Sequence, residues 1–158
     1  REFLRAAAAE GGAGDWQPEV LAPGPLAGGA LFEAPAAFAS RLHLAYPTLP
    51  QDRQAWGIRE LSRLLAGNQL PPAHVQAAIS AYSAAAVLVE GLRRAGRGLG
   101  RRELVAELEA LYHFETGLAP PITFTANRRV GASGAYVLTP GSLVEGRLPD
   151  KASWIELD

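Results

Sequence analysis

The chain of 158 residues contains no cysteine and no methionine. Without cysteine there is no disulfide framework, no thiolate nucleophile and no thiolate-bound zinc. The same absence is compatible with an oxidising compartment. Without methionine the first residue is not a translational start, so the sequence is expected to be a processed product or a piece of a longer chain. Charge of one sign is also lacking, since 15 Lys and Arg against 16 Asp and Glu leave a formal net charge of -1. That balance gives no bulk attraction to nucleic acid or an anionic membrane, and no nucleic-acid partner is expected. No uninterrupted apolar run approaches the ~18 residues that span a bilayer, and the chain does not open on a charged-then-apolar leader.

Motifs that announce chemistry are missing as well. GASGAY (131–136) places Ser133 among small residues but is not a G-x-S-x-G elbow, and there is no G-x-x-x-x-G-K-[ST] phosphate loop. His43, His74 and His113 have no ligand-like spacing and no paired carboxylates beside them. No metal and no other cofactor is expected, and nothing proposes catalysis. Arg93, Arg94, Arg97, Arg101 and Arg102 could suggest phosphate binding. They straddle a helix end, where Arg93 and Arg94 suit the negative end of the dipole, and the next helix start, and read better as a solvated surface.

What is present is about one domain's worth of patterned sequence, enough to bury ~68–70% of the unfolded surface. Arg1 to Glu10 reads as a helix stopped by Gly11, Gly12 and Gly14. Strand candidates are Gln17 to Ala22, Arg41 to Tyr46 with alternating Leu42, Leu44 and Tyr46, Ile122 to Thr125, Ala135 to Leu138, and Trp154 to Leu157. Helices are expected over Trp56 to Ala66, with Ile58, Leu61, Leu64 and Leu65 at helical spacing and Gly67-Asn68 as the stop, and over Pro72 to Ala95. A third starts near Gly100, with Glu103 in its first turn. Strands alternating with helices predict an α/β fold.

The order of these signals is more specific than any one of them. The run AYSAAAVLVEGLRRAGRGLGRRELVAELEALYHFETGLAPPITFTANRRVGASGAYVL, from Ala81 to Leu138, resembles the late part of type I periplasmic substrate-binding proteins, the branched-chain amino-acid and amide-binding family of ABC importers. The shared features are a Tyr-Ala-Ala helix ending in Ala-Gly, an Arg-Glu-x-Leu-Val-x-x-Leu helix, a Thr-Gly step, an Asn-Arg turn and a glycine-led final strand. The resemblance implies two Rossmann-like α/β lobes joined by hinge crossings. Residues 1–45 then belong to the C-terminal-type lobe, 46–116 to the N-terminal-type lobe, and 117–158 to the hinge return and the C-terminal-type lobe again. In this reading Phe114 to Pro121 is the last crossing, with Gly117 as its flexible point and a hairpin turn at Asn127-Arg128-Arg129. Family members are usually more than twice this length, so an upstream half is expected to be missing.

The implied activity is non-catalytic: a solute-binding component of an ABC importer, periplasmic or extracellular, with a membrane-anchored lipoprotein among its forms. It holds a small organic ligand in an inter-lobe cleft and delivers it to the ABC permease. A ligand-binding sensory domain of a signalling receptor, or an α/β enzyme fragment, are the alternatives. Tyr46 and Tyr82 are the first ligand-binding candidates, because the crossing strand and the long helix border the cleft in the family, and an aromatic ring with a hydroxyl suits an organic ligand. Tyr82 also lies on an apolar stripe and could simply pack. Gln76 and Ser80 lie on the polar side of the same helix and could reach a ligand or stay in solvent. Gly24 stands where amino-acid-binding relatives commonly carry an acid, with Glu33 as a nearby substitute, so an ammonium group would lack a partner and a neutral or anionic ligand is expected. A truncated lobe leaves sheet edges and apolar helix faces bare, which favours self-association.

Overall fold

Along Leu42–Tyr46 large apolar side chains alternate with His43 and Ala45, the period-two pattern of a strand packed on one face. In the computed structural model, which describes residues 5, 6, 9, 18–27, 36–71, 75–143 and 147–156, this segment is an inner strand of a four-stranded sheet. The strands are β1 (Val20–Pro23), β2 (Leu42–Tyr46), β3 (Gly134–Leu138) and β4 (Trp154–Glu156), adjacent in that order. β1 runs parallel to β2, whereas β3 is antiparallel to both its neighbours. A parallel pair requires a crossover. Here it includes the short helix α1 (Gly24–Ala27) and a 3-10 turn at Ala36–Phe38. The protein is therefore mixed α/β, as the alternation predicts.

Register explains which side is core. Ala22 pairs with Leu44, Leu44 with Leu138, Tyr46 with Tyr136, and Tyr136 with Trp154. Residues directly opposite share a face, so these line one side of the sheet. Phe38, Leu42, Leu44, Leu49, Tyr136 and Leu138 are buried together there. The Tyr136 and Trp154 rings meet edge-on at 4.9 Å, an arrangement the ring quadrupoles favour. On the other side Leu21 is 71% exposed and Ile155 50% exposed.

The chain divides into two compact units. The sheet unit takes its described residues from Arg1–Pro50 and Gly134–Glu156, and a helical unit is built from Gln51–Ser133. Its helices are α2 (Ala55–Gly67), α3 (Val75–Ala95) and α4 (Arg101–Glu109). α2 ends in a Schellman arrangement: Leu70 N–H donates to Leu65 O and Gln69 N–H to Ala66 O. The left-handed residue is Gln69, with φ 53°, and not Gly67 or Asn68. α4 packs on α3 where Gly91 is buried, since a Cβ on Gly91 would come within 2.7 Å of Leu108 Cδ2. Over 75–98 the α3 region is long and apolar enough to cross a membrane by length and composition. That differs from the sequence expectation, because counting unbroken apolar runs stops at Gln76, Ser80 and Ser83 while the alanines between keep the average apolar.

The segment after α4 departs most from expectation. Phe114 pairs with Ile122, and Phe124 N–H donates to Leu111 O. Thr125 and Arg128 exchange two backbone hydrogen bonds around a tight turn at Ala126 and Asn127. The expected strand at Ile122 to Thr125 is thus reduced to isolated bridges, and the turn sits earlier than Asn127-Arg128-Arg129. Nor is Gly117 a free hinge. Its carbonyl accepts from Gln54 N–H at 2.8 Å, its φ of 75° suits only glycine, and a Cβ there would collide with the Trp56 ring. Residues 117–133 consequently belong to the helical unit, and the return to the sheet unit comes at Gly134.

Gly57 marks the closest approach in this unit: a Cβ on it would lie 2.3 Å from Gly117 O and 2.6 Å from Gly117 C. The obstacle is backbone held by a hydrogen bond, so Gly57→Ala should destabilise the protein by about 1–3 kcal/mol in urea denaturation. Gly67 in the same helix has nothing within 4 Å, and Gly67→Ala should stabilise by up to ~1 kcal/mol. Equal effects of the two changes would show that Gly57 is not a packing site.

Glu90 near the end of α3 accepts from Arg93 Nε at 2.9 Å and from Arg94 Nε at 2.7 Å. These hydrogen bonds, Arg93 first, hold its carboxyl down at about 2, against an ordinary 4.5. A depressed folded pKa gives a contribution that is complete above the unfolded pKa and is lost as pH falls through the folded one. Glu90→Gln should therefore flatten the stability curve between about pH 4.5 and 2, and the Glu90 carboxyl carbon should titrate near the lower limit by NMR. A midpoint at the ordinary value would refute the assignment.

Candidate functional site

Open α/β sheets place ligands beyond the carboxyl ends of parallel strands, and β1 and β2 end together, with Pro23 paired to Ala45. Tyr46, the last residue of β2, is 8% exposed, and burial raises its phenol pKa. Gly24 follows β1 directly and is buried beneath the tyrosine ring. A Cβ on Gly24 would fall 2.2 Å from Tyr46 Cζ and 2.3 Å from Cε2. The ring therefore fills the space that any side chain at position 24 would need. The sequence suggested a place left empty of its acid; in the structure the aromatic residue occupies that place.

The remaining sequence candidates do not converge. Tyr82 is half-buried on α3, and its phenol is raised by burial first and by the charge of Glu60 next, with Arg63 opposing. Glu60 and Arg63 form a two-point pair on α2, at 2.6 and 3.1 Å, so Tyr82 lies within electrostatic reach of a pair that is already satisfied. Ser80 is exposed, and Gln76, one turn before it, is half-buried and already engaged in an interaction. At ~100° per residue, Tyr82 lies about 200° around the helix from Ser80, so the two side chains point away from each other. These three belong to the helical unit and Tyr46 to the sheet unit. Glu33 lies outside the described residues.

No protein-family model, curated protein or solved structure matches this chain. The chemistry has to be read from its own side chains. Among the described residues no cluster of three or more His, Asp or Glu is placed to hold a metal ion.

Two cavities in the helical unit escaped the sequence reading. One, of about 210 Å³, has Val105, Leu108 and Phe124 in its wall and Glu109, Arg128 and Arg129 at its polar part. Those polar groups are partnered internally: Arg128 Nε donates to Val130 O at 3.1 Å, and Arg129 lies 3.7 Å from Glu109. The other, of about 220 Å³, lies between α2 and α3, with Ile58, Leu61, Leu65 and Ile79 in its wall, closed by Leu118. Arg53 also lines it, and Arg53 Nε is buried with no hydrogen-bond partner among the described residues. The leucine and isoleucine wall was visible as helical stripes. Arg53 was not, because it sits in the turn before α2 where no periodicity marks a side chain as inward.

The pairing of Gly24 with Tyr46 can be tested by a double-mutant cycle. Gly24→Ala should cost about 1–3 kcal/mol in the native background, through displacement of the ring. In a Tyr46→Ala background the cost should fall by ~1 kcal/mol or more. Additive free energies from urea denaturation would show that the ring is not the obstacle.

Proposed function

We propose that the chain is a solute-binding component of an ABC importer that takes a small neutral or anionic organic ligand, an amide or an organic acid, beside the carboxyl ends of β1 and β2. The observation that carries this reading is the double passage of the chain between two compact units, out after Pro50 and back at Gly134. Receptors that close around a ligand are organised in this way, with the connecting segments absorbing the change in φ and ψ. The sequence order from Ala81 to Leu138, which resembles the substrate-binding family, supports the same reading. So do the exposed apolar residues Leu88, Val89 and Leu92 of α3, since helices of an α/β lobe pack on a sheet.

Ligand charge follows from Tyr46 and Gly24. An aromatic face with a hydroxyl can hold an apolar body and one polar group. A carboxylate at position 24 is sterically excluded while the ring stays in place, so a bound ammonium would be desolvated there without that countercharge. The hinge in this reading runs through Pro50–Gln51 and Ser133–Gly134.

Titration calorimetry of the chain against leucine, valine, and short aliphatic amides and carboxylates tests the proposal. An amide or carboxylate should bind and the two amino acids should not. Tyr46→Phe should weaken the bound amide by about 2- to 10-fold through loss of one hydrogen bond, while Arg53→Met should leave amide binding unchanged. Binding of leucine or valine, binding of no compound, or indifference to Tyr46→Phe would refute it.

A further inference from the structure

The cavity between α2 and α3 contains a contradiction that a ligand would resolve. Its walls, including Ile58, Leu61, Leu65, Ile79 and Leu118, are hydrocarbon, yet Arg53 Nε is buried beside them without a hydrogen-bond partner among the described residues. A buried donor without an acceptor is destabilising, more so on a charged group, and native structures rarely keep one without use. Ser62, which also lines the cavity, is exposed. Among the described residues no Asp or Glu lines it, so the charge they give the lining is positive. The other cavity of the helical unit shows the contrast, because its arginines are partnered by Val130 O and Glu109.

Size narrows the occupant. A dry cavity of about 150 Å³ lined by Leu, Ile and Phe accepts benzene. This one, at about 220 Å³, has room for a ring or a branched chain with a carboxylate attached.

We propose that this cavity is a binding site for a small apolar monocarboxylate, the Arg53 guanidinium turning so that its Nε–H, closed off in this structure, donates to one carboxylate oxygen while the apolar body lodges among Ile58, Leu61, Ile79 and Leu118. Arg53 is the specificity-determining group: a guanidinium donates to a carboxylate and repels a cation. Zwitterionic amino acids are selected against, since among the described residues the lining has no acid to meet the ammonium. The site lies wholly within the helical unit and does not rest on the importer reading.

The test uses the full chain, with benzoate as the probe and benzylamine as its cationic counterpart of similar size. Benzoate should bind saturably at one site by calorimetry, and benzylamine should not. Arg53→Met should weaken benzoate by about 10- to 100-fold, the span expected for a charge-assisted hydrogen bond, while the urea midpoint of the free protein stays level or rises. That pairing separates a ligand-binding arginine from a structural one, whose removal would lower the midpoint. Ala78→Leu, which fills the cavity from α3, should abolish binding with Arg53 intact, and Tyr46→Phe should have no effect. Absence of saturable benzoate binding, equal binding of benzylamine, or benzoate binding that survives both Arg53→Met and Ala78→Leu would overturn the proposal. Because the strand-end site is read through Tyr46 and this one through Arg53, failure of either leaves the other standing.

Discussion

Backbone against backbone, Gly57 on Gly117, is the contact from which the helical unit is built. The Gly117 carbonyl accepts from Gln54 N–H at 2.8 Å and at the same time lies where the Cβ of any other residue at position 57 would go. The first turn of α2 is therefore fixed to the segment after α4 with no side chain between them. Trp56 lies over Gly117 and is anchored by its indole N–H to Gln54 Oε1, while Gln54 reaches Glu115 through its amide. Behind this contact Thr116 is buried and shares a hydrogen bond of 3.2 Å with Ser83 of α3, so the interior polar pair is satisfied. Leu118 follows into the core. Arg53, immediately before Gln54, is carried inward by the same anchoring, which is how a charged side chain comes to line an apolar cavity.

In the sheet unit the corresponding constraint is aromatic. Tyr46, Tyr136 and Trp154 stand in register across three adjacent strands, and a row of rings on one face commits that face to the interior. A one-residue slip of β2 would turn Leu42, Leu44 and Tyr46 outward together. Gly24 completes the row, because only a residue without a side chain lets the Tyr46 ring close over the end of β1. Packing and the proposed site chemistry meet at this point, since the ring that packs the strand end is also the one that leaves no room for a side chain at position 24.

Much of the fold was legible because its signals are local and periodic. The alternation at Leu42, Leu44 and Tyr46, the stripe at Ile58, Leu61 and Leu65, and the glycine before Arg101 each follow from short-range geometry and mark observed elements closely. The segment from Leu111 to Gly131 was misread for the opposite reason. The family resemblance implied a crossing over Phe114 to Pro121 followed by a strand, but the conformation here is settled by distant partners: Gln54 and Trp56 for Gly117, Leu111 for Phe124, and Gly131 for Thr123. Gly67-Asn68 looked like the stop of α2, yet the left-handed position fell on Gln69. The Schellman hydrogen bonds count residues from the last full turn, and glycine is a preference there and not a requirement.

The candidate sites were less legible than the fold, and the difference lies in what each depends on. Tyr46 could be chosen from sequence because a strand end is visible there, but its contact with Gly24 joins residues far apart in the chain and arises only because β1 pairs with β2, Pro23 beside Ala45. Arg53 could not be chosen at all, because an unpartnered donor is defined by what fails to surround it, and absence of a partner has no pattern in a chain. The two places nevertheless agree in one chemical respect. At the strand end a ring excludes an acid from position 24, and in the helical cavity no acid among the described residues lines the wall. Among the described residues neither presents a carboxylate from those positions to meet a cation, so a ligand held as proposed at either one would be neutral or negative, and only the helical cavity, through Arg53, favours the negative charge.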